Sequence, residues 1–201
     1  MPDHLARMAL FDLNTGVRDN VVCNLRWGWE VWIEELRRSV FIVPKQHVKS
    51  RKASAAVVCN SVAQSIIESV RGQDSEFVFV YSERRKKCQP GPVETMNNTA
   101  WQRARKEAGL PDLHVHDLRH TVGLRLREAG VKGETRDAIL WHNGRGMTQH
   151  YAVPQVREVL DALELIADER HAFNKSLVTL AREASEQTPS HKVTTAVKRT
   201  G

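Results

Sequence analysis

Apolar residues recur at helical spacing over residues 3–13, with Leu5, Met8, Ala9 and Phe11-Asp12-Leu13 along one edge, and Asn14-Thr15-Gly16 ends the run. A second helix is predicted over about 18–26, with Val21, Val22 and Leu25 on one face. Trp27, Trp29, Trp32 and Ile33 then alternate with other residues and read as a strand. Val40-Phe41-Ile42-Val43 and Ala55 to Val58 read as two more, which together predict a small antiparallel sheet. Lys45 to Lys52 is a basic turn between them. Ser61 is the predicted cap of a helix running to about Arg71. Phe77 to Tyr81 reads as short and extended, and Cys88-Gln89-Pro90-Gly91-Pro92 as a loop. Helices are predicted over about 96–108, 116–129, 135–142 and 155–170, with Gly109 and Gly130 at C-terminal stops. In the last helix Val156, Val159, Leu160, Leu163, Ile166 and Ala167 make one stripe. From Asn174 the chain turns polar. The pattern therefore predicts a mostly helical α+β domain over residues 1–173, followed by a polar, basic, mobile tail over 174–201.

Composition narrows the function. The chain's 201 residues suffice for one domain with a real core. Its 30 basic and 24 acidic side chains leave a net charge of +6, which favours an anionic partner, nucleic acid being the commonest. The three cysteines, Cys23, Cys59 and Cys88, are odd in number and lack CxxC spacing. That disfavours a disulfide framework or a cysteine zinc site and fits a reducing, cytoplasmic setting. No apolar run is long enough for a membrane span, and no signal peptide opens the chain.

The densest chemistry lies in His116-Asp117-Leu118-Arg119-His120. On a helix His116 and Arg119 share a face, one a proton carrier and the other a fixed planar cation. His142 follows, and Tyr151 stands nine residues beyond it. Cations, imidazoles and a phenol are what phosphodiester cleavage requires when no metal takes part: charge stabilisation, proton transfer and a nucleophile. His114, His116 and His120 alone do not make a zinc pattern, because no acid or cysteine completes it. Tyr81, the other tyrosine, reads as structural, and Trp27, Trp29 and Trp32 as core or sheet face. Arg84-Arg85-Lys86-Lys87 reads as a solvated loop, with a DNA-backbone contact as the alternative.

These residues carry a resemblance. Thr15-Gly16-Val17-Arg18 followed by Leu25-Arg26-Trp27 resembles the first arginine box of the tyrosine recombinases, the phage integrase family. His116-Asp117-Leu118-Arg119-His120-Thr121 is similar to its His-x-x-Arg box, and His142 with Tyr151 to its final box. Asn98 to Trp101 through Ala108-Gly109-Leu110 resembles the linking helix of phage-type members. The likeness covers about residues 5–170, with the boxes in the family's order.

The resemblance implies a DNA breaking-rejoining catalytic domain that cleaves and rejoins double-stranded DNA through a 3′-phosphotyrosine, with no cofactor, metal or ATP. It implies that Arg18 and Arg119 clamp the scissile phosphate and that His142 donates to the same group. Tyr151 attacks the phosphorus, and His116 accepts and returns a proton. Lys49 is the implied general acid, with Lys45 and Lys52 as alternatives in the same turn. Apart from the resemblance, His120 and His150 read as residues that buttress the site by packing and hydrogen bonds. Self-association on DNA is also implied, in a phage or other mobile element.

Three departures stand out. Trp141 occupies the place of the family's usual glycine, where an indole either crowds the turn that positions His142 or points to solvent. Val21 stands where many members have an acid. Arg18 is only 17 residues from the start, too few for the family's separate N-terminal helical domain, so the expectation is a lone catalytic half, a truncated gene product or a fragment. The rival readings are a non-catalytic DNA-binding remnant and a type IB topoisomerase-like nicking-closing enzyme.

Overall fold

The computed structural model describes residues 1–49, 53–81, 91–142 and 155–167. The predicted tail, the Arg84–Lys87 run, Lys52, Cys88, His150 and Tyr151 lie outside the described residues.

Helix α1 (Asp3–Thr15) turns Leu5, Met8, Ala9 and Phe11 inward, as its stripe predicts. It runs two residues past the predicted stop at Leu13, and there Asn14 and Thr15 donate their side chains to the carbonyls of Leu10 and Phe11 at 2.8 Å. Gly16 then ends it at φ +65°, a left-handed conformation that costs glycine nothing.

Helix α2 (Asp19–Cys23) is shorter than predicted. Leu25 and Arg26 leave it to pair with a distant segment: Val78 donates its N–H to Leu25 at 2.9 Å and Trp27 donates to Glu76 at 3.0 Å. The predicted tryptophan strand is therefore split. Trp27–Trp29 form a single 3₁₀ turn, and β1 (Glu30–Ile33) begins after it. Trp27 and Trp29 pack against the core, whereas Trp32 is exposed and its indole donates to Glu34 at 2.6 Å.

Strands β2 (Arg38–Val43) and β3 (Ala55–Val58) complete an antiparallel sheet in the order β1-β2-β3. Phe41 lies opposite both Glu30 and Val57. The basic turn between β2 and β3 opens with a 3₁₀ turn at Lys45–His47.

Helix α3 (Ser61–Val70) is capped by Asn60, not by Ser61 as predicted. The Asn60 side chain accepts from Ala63 N–H at 2.9 Å and donates to Asn14 and to the Leu163 carbonyl. It thus ties three helices together while itself fully buried. Ser61 instead donates its hydroxyl to Glu164 at 2.7 Å. A two-stranded ribbon follows, β4 (Val80–Tyr81) with β5 (Gly91–Pro92), part of the stretch read as a loop.

Among the described residues the remaining helices are α4 (Thr99–Glu107), α5 (Val115–Glu128), α6 (Gly133–Ile139) and α7 (Val156–Leu165). Gly109 and Gly130 take positive φ after α4 and α5, as their positions predict.

Two apolar clusters hold these elements. One joins α1, α2, α3 and the inner sheet face to the start of α5, with Phe11 meeting Phe79 edge-on at 5.4 Å. The other packs Val40 and Val58 against Val122, Leu126, Ile139, Leu160 and Leu163. Each fully buried side chain of this size contributes roughly 1.5–3 kcal/mol against exposure. Cys23 and Cys59 are free thiols inside the first cluster. Burial pushes Cys23 up to about 11 and Cys59 higher, so neither is a nucleophile at neutral pH. Among the described residues no helix is long and apolar enough to cross a membrane.

Candidate active site

The left-handed turn at Gly16 builds the first wall. A Cβ there would come within 2.9 Å of Val122 Cγ1 and 3.0 Å of Leu140 Cδ2. Glycine thus lets the chain pass tightly between α5 and α6 and deliver Arg18 at the start of α2. Arg18 is half-buried, and burial lowers its pKa, but a guanidinium remains charged.

Helix α5 supplies the second wall. Asp117 holds its first turn by accepting from the His114 N–H at 2.7 Å. This accounts for the acid inside the His-Asp-Leu-Arg box without giving it a chemical role. Arg119 is 4% exposed, and its guanidinium donates to the carbonyls of Gly16 and Leu140. The arginine thereby stitches the Arg18 loop to the end of α6. With five donors in its fork, it retains N–H groups for an anion. Burial, followed by the nearby Arg18 charge, pulls its pKa down to about 10, while Asp12 opposes the shift.

Asp12, on α1, is 1% exposed, and its Oδ1 has no hydrogen-bond partner among the described residues. Burial raises its pKa well above the carboxylate range, against the pull of Arg119. Val21, the other departure noted near Arg18, is buried in the first apolar cluster.

His116 meets His120 edge-to-face, ring centroids 4.7 Å apart. Partial desolvation, then His120, then Arg119 lower the His116 pKa, which favours the neutral, proton-accepting imidazole. His114 turns instead to Asp117, Nδ1 to Oδ2 3.5 Å, and does not join them. Among the described residues no three His, Cys, Asp or Glu side chains converge as a metal site would need.

The end of α6 supplies the third wall. Leu140 caps the helix, Trp141 N–H donates to Ala138 at 3.2 Å and His142 N–H to Asp137 at 2.8 Å. This is a Schellman ending, in which the residue after the cap must be left-handed. That residue is Trp141, at φ +49°. A bulky side chain there costs roughly 1–3 kcal/mol, and the usual glycine avoids that cost. The indole neither crowds His142 nor points to solvent. It lies against the core and donates to the Ala56 carbonyl on β3 at 3.0 Å.

These walls enclose a cleft of about 400 Å³. Arg18, Lys49, His116, Arg119, His120, Arg127 and His142 line it. Five of the six residues singled out as catalytic in the sequence thus share one cleft, and the sixth, Tyr151, lies outside the described residues. Lys49 is exposed at the hairpin rim, whereas Lys45 is not among the lining residues. Arg127 was missed in the sequence. It falls on the i, i+4, i+7, i+11 face of α5 shared by His116, His120 and Gly123, a spacing that marks it as a wall residue.

A mostly helical α+β domain with a three-stranded antiparallel sheet, and a cleft of arginines and imidazoles between its helices, is the architecture of a tyrosine recombinase catalytic domain. The chain belongs to the phage integrase family, which matches residues 2–158. It is similar to the Integrase of Salmonella phage P22, 37% identical over 127 residues, covering 60% of this chain and 32% of that protein. Transposase B from transposon Tn554 of Staphylococcus aureus is 25% identical over 191 residues, 89% of this chain and 28% of the relative. The chain therefore spans about a third of the length of these curated relatives. No solved structure matches it.

Proposed function

We propose that this chain carries the DNA strand-transfer chemistry of a site-specific recombinase, breaking and rejoining duplex DNA through a 3′-phosphotyrosine intermediate without ATP or metal. One observation supports this above all. Among the described residues the cleft is lined by four cationic side chains and three imidazoles and by no carboxylate, with Asp137 beside it, its Oδ1 3.5 Å from His142 Nδ1. Like charges this close disfavour one another, and an anion seated among them relieves that cost. A phosphodiester supplies the negative charge and the acceptor oxygens that such a lining binds.

In this reading Arg18 and Arg119 hold the two non-bridging oxygens, with Arg127 and His142 adding charge and a donor. The Tyr151 phenol attacks phosphorus, and neutral His116 takes its proton. The bond from phosphorus to the 5′-oxygen breaks as the bond to tyrosine forms. Lys49 gives the leaving oxygen its proton. One phosphodiester replaces another, so the energy is stored in the covalent link. A 5′-hydroxyl from a second strand reverses the steps. The ordered turn around Trp141 argues against a decayed, non-catalytic remnant, since His142 still reaches the cleft.

The test is a library of duplexes nicked near a randomised centre, so that the short leaving strand diffuses away. The expected result is a protein–DNA adduct that survives detergent, with release of a strand bearing a 5′-hydroxyl. DNA binding across the library with no adduct would contradict the reading.

A further inference from the structure

We propose that Trp141 is a positioning residue: its indole latches the outer edge of β3 to the end of α6, fixing the Lys49 hairpin relative to His142. This rests on the reading above only for what the latched residues do. Among the described residues β3 pairs with β2 alone, so carbonyls on its other edge need partners from elsewhere. The Trp141 N–H takes one of them, at Ala56. Ala56 lies on the strand that returns from the hairpin bearing Lys49, and Trp141 immediately precedes His142. Lys49, Ala56, Trp141 and His142 also line one larger groove beside the cationic cleft. A single hydrogen bond thus spans the two walls that hold the proposed acid and the proposed donor.

The backbone adds a second, independent observation. The Schellman ending calls for glycine, yet this chain keeps a tryptophan at φ +49°. The half-buried ring packs against the core cluster and its donor is satisfied, two contacts that offset the strain. A tryptophan that only filled space would not need that carbonyl.

Trp141→Phe keeps the ring and loses the donor; Trp141→Gly removes both and relieves the backbone. Amide hydrogen exchange of residues 53–58 should accelerate in both variants while that of α1 stays unchanged. Unchanged exchange over 53–58 overturns the latch, whether or not the protein cleaves DNA. The link to chemistry is read in single-turnover adduct formation on matched substrates with oxygen or sulfur at the 5′ leaving position. A thiolate leaves without needing a proton, so it bypasses Lys49. The expected result for Trp141→Phe is a loss of roughly tenfold to a hundredfold with oxygen, the size expected of a misplaced group, and a change within about twofold with sulfur. Equal loss on both substrates, or none on either, overturns the link to Lys49. Failure of the unaltered chain to form any adduct counts against the strand-transfer reading, and the exchange data still decide the latch.

Discussion

Arg119 donates a hydrogen bond to the carbonyl of Gly16, and Gly16 stands two residues ahead of Arg18. One guanidinium therefore fixes the loop that presents the other. The same group holds the Leu140 carbonyl, two residues ahead of His142. Three walls of the cleft converge on one buried side chain, which makes Arg119 a structural keystone as well as a candidate phosphate ligand.

Replacing either arginine by lysine keeps the charge and removes the planar fork. We expect Arg18→Lys and Arg119→Lys each to slow adduct formation by about a hundredfold to a thousandfold, equivalent to roughly 3–4 kcal/mol of barrier. Arg119→Lys should also lower the unfolding midpoint in urea, because two carbonyls lose their donor. Arg18→Lys should leave that midpoint nearly unchanged. A comparable stability loss in both variants would contradict this division of roles.

Gly16→Ala should destabilise the fold strongly. The new Cβ meets Val122 and Leu140 at or below 3.0 Å, and φ is positive. Overpacking and backbone strain together cost on the order of 2–5 kcal/mol. Gly109→Ala, also at positive φ but with open space around it, should cost only the backbone part. Denaturant titration of the two variants checks the difference.

Asp12 predicts an unusual pH dependence. Its folded pKa is raised, so the folded state holds its proton more tightly than the unfolded chain. That contribution is complete below the unfolded value of about 4 and is lost as pH rises toward the folded one. Asp12→Asn should therefore gain stability relative to the parent at pH 8 and match it near pH 3.5, as read by urea titration. A variant less stable than the parent at pH 8 would mean that Asp12 is ionised and paired with Arg119.

His116 carries a pKa lowered first by desolvation and then by His120. Its neutral, proton-accepting form is lost only as pH falls through that lowered value. His120→Gln removes the neighbour that, after desolvation, lowers the His116 pKa most, so the acid limb of the cleavage profile should move to higher pH while the maximal rate changes little. An acid limb unmoved by the substitution would argue against His116 as the base.

Much of this was legible in the sequence, because amphipathic stripes and glycine stops are local signals. Helices α1, α5 and α7 follow their apolar spacing closely. The α2 end and the Trp27–Trp29 turn were not legible, because pairing with Glu76 and Val78 sets them from 50 residues away. Asn60 outcompeted Ser61 as a cap because its amide also reaches Asn14 and the Leu163 carbonyl, partners no local window contains. Within the site, the Arg and His boxes were visible as motifs, but Asp12 looked like part of an apolar edge. The part played by Trp141 depends on a carbonyl of Ala56, 85 residues earlier in the chain, which spacing alone does not reveal.

If a tyrosine of this chain becomes joined to DNA, peptide mapping of the trapped adduct will locate it. After nuclease trimming and proteolysis, mass spectrometry should find the residual 3′-phosphonucleotide on the peptide containing Tyr151. Tyr151→Phe should bind DNA as before and give no adduct. Label on Tyr81, on a serine or on a histidine, or an adduct that persists in Tyr151→Phe, would contradict the account.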